Sequence, residues 1–267
     1  MLSEELVQKL SKSIEKRINV ALITVTKHPD IEIVGSRSLL WDDGTLFHGS
    51  PISVPLSEPF INHGIPLMTK KKTKSIQFEW QSNFIECYVE MYEAPPHLII
   101  TGAGHVGEPV AKLGKMLNFY VTVVDDRTEF ANQKKFPDVD EVVCCDSFLS
   151  YFNNVPISSR TYVLLLTRGH QFDVMSLQEL LKRKESAGYI GMIGSRRRIA
   201  GVFEQLRDDF PDETFDNIFT PVGIDIGAQT PEEISVSIMA EILKVKNNTS
   251  GQSLSESIRR LAKLGFK

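Results

Sequence analysis

Apolar residues recur with two different periods along this chain, and the change falls near residue 94. Up to that point they come in short strand-like runs: NVALITVT, IEIVGSRSLLW, TLFHGS, SIQFEW and FIECYVEMYE. Turn signals such as Asp42-Asp43-Gly44 separate these runs. In FIECYVEMY, Ile85, Cys87, Val89 and Met91 share one face, which places Cys87 in a core. The N-terminal MLSEELVQKLSKS has a helical period instead, with Leu6, Leu10 and Ile14 at spacing four. Together these elements predict a small α+β domain over residues 1–94, with much of its sheet antiparallel. Ala94-Pro95-Pro96 then forms a stiff connector.

Beyond the connector the rhythm is strand, helix, strand, helix. HLIIT precedes the helical pattern VGEPVAKLGKML. FYVTVVDD and VDEVVCCD read as strands, and TYVLLLT is followed by the helix FDVMSLQELLKRK. GYIGMIG leads into SRRRIAGVFEQLRDDF, whose Ile199, Val202, Phe203, Leu206 and Phe210 mark the buried stripe. FTPVG is a weaker strand before TPEEISVSIMAEILKV. There Thr230 is the N-cap, Pro231 holds the first helical position and Glu233 completes a capping box. Six strands alternating with helices predict a doubly wound, Rossmann-like parallel sheet over residues 95–246. Residues 247–267 read as a linker and a short terminal helix.

Composition narrows the function classes. With 30 Lys and Arg against 34 Asp and Glu, the net charge is −4, and no basic field invites nucleic acid. The run Lys70 to Lys72 reads as a solvated strand end. Three cysteines, with Cys144 and Cys145 adjacent, do not make a disulfide framework and fit a reducing cytoplasm. No stretch approaches the ~20 apolar residues of a membrane span. The N-terminal residues lack the apolar core of a signal peptide.

Candidate chemistry gathers where the predicted strands end. TGAGHVG matches G-x-G-x-x-G with Gly102, Gly104 and Gly107, directly after a strand and opening a helix. Gly102 allows a tight turn, Gly104 lets a pyrophosphate approach the backbone, and Gly107 lets the helix pack close. His105 lies inside the turn. Asp125 follows Gly107 by 18 residues at the end of a strand, the place of an acid that binds ribose hydroxyls. Arg127 beside it suits a 2′-phosphate or is simply a surface arginine. Asp146 reads as a cap for the segment after it. In TRGHQFD, Arg168, His170 and Asp173 fall close together. His170 reads either as a general acid/base or metal ligand, or as a loop histidine hydrogen-bonded to Asp173.

The stretch YIGMIGSRRR raises a separate question. Gly194 and Ser195 precede Arg196, Arg197 and Arg198 in what reads as a helix's first turn, where the helix field repels cations. An anion held by helix amides and guanidinium groups would account for them; exposed side chains swinging away would too. Asp225 sits in PVGIDIGAQTPEE, a Gly-rich loop able to approach a ligand closely.

The set TGAGHVG, VVDDR, TRGHQFD, YIGMIGSRRR and PVGIDIGAQTPEEISVSIMAEI resembles the XdhC/CoxF family of xanthine dehydrogenase accessory factors over residues 97–244. VALITVT and GSRSLLWDDGTLFHG resemble that family's first domain in outline. The resemblance implies a cytoplasmic protein that binds the molybdenum cofactor, as molybdopterin or its dinucleotide form, and delivers it to apo xanthine dehydrogenase. A sulfur-donating enzyme is a further implied partner. On this view Gly102, Gly104 and Gly107 hold phosphate, Arg196 to Arg198 assist, and Arg168 and His170 lie near the reactive end. Family members carry a Gly-Gly-Cys-type motif where this chain has HGSPISVPL, which has no cysteine to offer molybdenum. Two other readings use the same fold. One is an NAD(P)-dependent oxidoreductase with Asp125 on ribose and His170 as proton donor; the other is a nucleotide-sensing regulatory module. A homodimer is expected, because a small domain followed by a doubly wound one often leaves a shared cleft.

Overall fold

The computed structural model describes residues 3–49, 56–70, 72–194, 203, 206–211, 213–255 and 258. The chain divides into two compact units, Met1–Pro95 and Pro96–Lys267. The second unit takes in the stretch after residue 246 that the sequence sets apart as a linker.

The first unit contains α1 (Glu4–Glu15), β1 (Val20–Lys27), β2 (Arg37–Trp41), β3 (Leu46–His48), α2 (Ser57–Thr69), β4 (Lys74–Trp80) and β5 (Asn83–Tyr92). Its five strands pair antiparallel in the order β3-β2-β1-β5-β4. Central strand β1 is apolar on both faces because both are covered. Ala21, Ile23 and Val25 share a core with Phe60 of α2, while Val20 and Leu22 pack with Leu6 of α1. Cys87 is fully buried, as its alternation requires.

Two local expectations do not hold, and one helix has no counterpart in the sequence reading. In α1 the buried stripe runs through Leu6 and Ser13, and Ile14 is 49% exposed. Ser13 replaces it because its hydroxyl accepts from Trp41 Nε1 at 2.9 Å and donates to Lys9 O at 2.8 Å. The run IEIVGSRSLLW is not one strand: residues 31–35 turn, with Gly35 at φ +84°, and only Arg37–Trp41 pairs. Helix α2 carries Pro59, Gly64 and Pro66, residues that disguise it in the sequence. Pro59 lies in the first turn, where no helix hydrogen bond is lost. Gly64 lies against β2, where a Cβ would overlap Leu40 Cδ2.

The second unit contains β6 (His97–Thr101), α3 (Gly107–Met116), β7 (Tyr120–Asp125), β8 (Glu141–Cys144), α4 (Phe148–Asn154), β9 (Thr161–Leu165), α5 (His170–Leu181), β10 (Tyr189–Met192), β11 (Ile218–Phe219) and α6 (Pro231–Lys246). Its six strands are all parallel, in the order β11-β10-β9-β6-β7-β8. This is the doubly wound, Rossmann-like sheet, preceded by a smaller α+β unit. Central strands are apolar on both faces, as a sheet covered on both sides demands. Leu98, Ile100, Val121 and Val123 pack beneath α3 and α6. Ile99, Val124, Val163 and Leu165 pack on the opposite face with Phe148, Phe152 and Leu177. Leu206, Phe203 and Phe210 of the expected arginine-led helix join that second core. The expected capping box at Thr230 and Glu233 is present at α6.

Strand order reverses between β6 and β9. Ligands of open α/β sheets bind outside the carboxyl ends of the strands at such a switch point. Among the described residues, no helix is long and apolar enough to cross a membrane.

Candidate functional site

The glycine turn leaves β6 at the switch point, and its three glycines are there for different reasons. Gly102 has φ +101°, and a Cβ on it would overlap the Leu166 carbonyl that ends β9. Its amide donates to Val124 O at 2.8 Å. At Gly107 a Cβ would overlap the Gly102 carbonyl, so the close entry of α3 needs a glycine. Gly104 differs from both. Its φ is not in the left-handed region, and a Cβ on it would meet nothing within 4 Å. Neither backbone strain nor packing accounts for glycine there, and the space beside it is open to a ligand. His105 beside it is exposed.

Asp125 ends β7 directly beside this turn and is 1% exposed. Its carboxylate accepts from Ala103 N at 2.8 Å, and from Arg127 N, Nε and Nη2 at 3.1, 2.8 and 2.9 Å. Burial pushes its pKa up, but the Arg127 and Ala103 hydrogen bonds outweigh this and hold it below the usual carboxylate range. Asp125 therefore holds the glycine turn in place. A ribose would meet oxygens that already serve Ala103 and Arg127. The Arg127 guanidinium lies 3.7 Å from the Phe130 ring centroid.

One further cation reaches the turn, and a second pairs beside it. Lys135 Nζ donates to Ala103 O at 2.6 Å and lies 3.9 Å from Glu108. It stands in a polar segment 32 positions from its partner, so nothing in the sequence singled it out. Arg168, after β9, donates through Nη2 to Asp126, after β7, at 3.1 Å. Since β6 lies between β9 and β7, this ion pair crosses the end of the strand that feeds the turn.

The loop carrying Arg168 is tied down from α5. Thr167 donates its amide and its hydroxyl to Asp173 Oδ1, at 3.1 and 2.7 Å. Asp173 is 1% exposed. Burial pushes its pKa up to about 6, although the Thr167 hydrogen bonds pull the other way. His170 is the first residue of α5, so it opens the helix and is not a loop residue.

Gly194 follows β10 at the same edge of the sheet. Ser195, Arg196, Arg197 and Arg198 lie outside the described residues, as do residues 50–55 of HGSPISVPL. Asp146 does not cap α4: the N-cap is Ser147, with no side-chain hydrogen bond. Among the described residues, no three His, Cys, Asp or Glu side chains group as a metal site requires.

Asp225 is exposed in the loop after β11. That loop is pinned from behind. Glu241 accepts from Gly223 N at 2.9 Å and from the Tyr189 hydroxyl at 2.7 Å. Burial, then the Glu241 charge, push the Tyr189 pKa up. A cavity of about 370 Å³ opens under residues 221–228.

Against known proteins, residues 98–242 match the model of the XdhC Rossmann domain. The uncharacterized protein YqeB of Escherichia coli (strain K12) is 32% identical over 165 residues, covering 61% of this chain and 30% of that one. A probable xanthine dehydrogenase subunit of Bacillus subtilis (strain 168) is 30% identical over 165 residues, covering 61% of this chain and 47% of that protein. This chain thus spans less than half the length of these curated relatives. The crystal structure of a xanthine dehydrogenase from Bacillus halodurans superposes with a TM-score of 0.68 at 24% identity, covering 92% of this chain and 69% of that one. At that identity the likeness shows the fold. The family model, covering more than half of the chain, places the protein in the XdhC family.

Proposed function

We propose that this chain is an accessory factor of xanthine dehydrogenase that binds the molybdenum cofactor, in its molybdopterin form, and delivers it to the apo-enzyme. Membership of the XdhC family supports the partner, and one observation carries the ligand site. Gly104 stands open at the switch point where neither packing nor backbone strain requires a glycine. That is the place for a phosphate of the cofactor to meet backbone amides at the start of α3.

The residues around Gly104 fit a phosphate. Asp125 clamps Ala103 and so sets the turn before any ligand arrives. Lys135, Arg127 and Arg168 bring positive charge to the same edge, with Arg196 to Arg198 as further candidates. When bound, the cofactor supplies a redox-active molybdenum held by sulfur. The chain's own residues hold, orient and release the group. Arg168 has a part in both capture and release, because a phosphate competes with Asp126 for its guanidinium. The nicotinamide reading requires ribose hydroxyls at Asp125, and there Arg127 would first have to swing away.

The test is mass spectrometry of ligand co-purified from a host that makes the molybdenum cofactor. Molybdopterin is expected on the wild-type chain and absent from Gly104→Asp, whose carboxylate would stand against the phosphate. Loaded wild type is expected to activate apo xanthine dehydrogenase. A wild-type chain that carries no molybdopterin and activates nothing would overturn the proposal.

A further inference from the structure

The cavity beneath residues 221–228 is a feature of the carboxyl edge that the phosphate site does not use. At about 370 Å³ it lies within the range of small-molecule pockets. Its lining is mixed: Val222, Ile224, Ile226, Ala228 and Ile234 supply apolar side chains beside the polar groups of the glycine-containing loop, Asp225 and Ser237. Among the described residues lining it, Asp225 carries the one charge. Ile226, next to Asp225, is 51% exposed, an apolar side chain left at the cavity's rim.

The Asp225 carboxylate in that lining does not suit an anion. The N-terminus of α6, which opens beside the cavity, is already closed by its own side chains. Glu233 accepts from the amides of Gln229 and Thr230 at 2.8 and 3.1 Å, and Thr230 Oγ1 accepts from Glu233 N. A phosphate would therefore meet a carboxylate and a spent helix end. A flat ring with an apolar face and a row of N–H donors meets the opposite: aliphatic side chains within a mixed lining and one acceptor carboxylate.

The cavity's shape is also fixed in advance. Gly223 has φ +103° and gives its amide to Glu241. Ser237 Oγ donates to Ile224 O at 2.5 Å, and Ile224 N donates to Ser237 O at 3.3 Å. Placement matters as well. Helices α3 and α6 pack together on one face of the sheet, and both follow parallel strands, so both begin at the carboxyl edge. Val106 at the start of α3 and Ile234 in the first turn of α6 join the same core. The cavity and the glycine turn thus belong to one side of one edge.

We infer that this cavity takes a heterocycle with a 2-amino-4-oxopyrimidine edge, a pterin or guanine ring, with Asp225 accepting from its amino group and ring N–H. The inference rests on the proposed cofactor reading and adds which part of the ligand lies here: the ring, away from the phosphate at Gly104.

The experiment is calorimetric titration of the full chain with free pterin, with lumazine, which has an oxygen in place of the 2-amino group, and with guanosine. Wild type is expected to bind pterin, with lumazine weaker by about tenfold or more. Asp225→Asn should lower pterin affinity to about the lumazine level. Asp225 is exposed, so its variant should keep the wild-type circular dichroism and melting temperature. Gly104→Asp should leave free-pterin affinity within about twofold of wild type, because pterin lacks the phosphate. That variant separates the two ideas: loss of molybdopterin retention with pterin binding intact supports both. Pterin binding to a wild-type chain that never retains molybdopterin supports the ring site and sinks the carrier reading. Binding of guanosine without pterin assigns the cavity to a guanine ring; binding of neither, equal binding of lumazine, or indifference to Asp225→Asn overturns the inference.

Discussion

Replacing each glycine of the turn by alanine should separate those that the fold requires from the one that it does not. At Gly102, alanine must adopt φ +101° and place its methyl on the Leu166 carbonyl. The left-handed backbone alone costs about 1–2 kcal/mol. The overlap adds to it, because its partner is the backbone at the end of β9 and cannot rotate away. A loss of about 3 kcal/mol is expected. At Gly107 the methyl meets the Gly102 carbonyl. There α3 must shift outward, for about 1–3 kcal/mol. At Gly104 no atom lies within 4 Å and the backbone is not left-handed. Alanine there loses nothing in the folded state and restricts the unfolded chain, so a gain of about 0.4–1 kcal/mol follows. Urea unfolding of the three variants, followed by circular dichroism with m-values compared, reads these differences. Molybdopterin retention should move the other way, falling in Gly104→Ala although that variant is the most stable of the three. A Gly104→Ala chain that loses more than about 1 kcal/mol, or a neutral Gly102→Ala, would refute the division.

Other predictions concern the buried carboxylates and the charges at the edge. Asp173 has an ordinary value of 3.8 and is raised to about 6 in the fold. The folded chain therefore holds the extra proton, and stability falls as pH rises from about 4 to about 6. Asp173→Asn keeps an acceptor for Thr167 without the buried charge. It should be more stable at pH 7 by at most about 3 kcal/mol and unchanged near pH 4, which thermal melts across that range would check. Glu241→Leu leaves the Tyr189 hydroxyl and Gly223 amide without their acceptor and should cost about 2–4 kcal/mol, while Glu241→Gln retains most of the stability in urea melts. Asp126→Asn frees Arg168 from its carboxylate, so retained molybdopterin, measured against wild type, should rise; a fall would show that the pair supports the site and does not compete with it.

Much of this was written in local signals. The capping box of α6, the apolar runs of β6, β7 and β9, and the glycine turn each depend on residues close together in the chain, and each appears where the pattern puts it. Contacts made at long range were not readable. Helix α2 looks broken in sequence, yet Gly64 is there to accommodate Leu40 of a strand formed earlier in the chain. The Ile14 position of α1 is lost to Ser13 because Trp41 supplies a donor from β2. Asp125 was legible by position, but its partners were not: Ala103 stands 22 residues away, and Arg127 folds back onto it. Lys135 was invisible because a lysine in a polar segment reaches Ala103 only once the sheet is built.

The charges at the switch point bear on the proposed carrier reading. Each cation described there already has a carboxylate: Arg127 has Asp125, Arg168 has Asp126, and Lys135 has Glu108. An incoming phosphate would thus exchange partners and gain less than it would against free cations. The exchange differs from pair to pair. Asp125 is nearly inaccessible and also holds the turn, so Arg127 is costly to pull away. Arg168 is 52% exposed, and its pair with Asp126 is of the kind worth about 1 kcal/mol or less. Arg168 is therefore the cation that can turn to a ligand and turn back at small cost, while the Asp125 clamp keeps the glycine turn set in both states. On the proposed carrier reading, a fixed cradle beside an exchangeable cation would hold a phosphate by a margin that a partner enzyme could overcome, and delivery would require that margin.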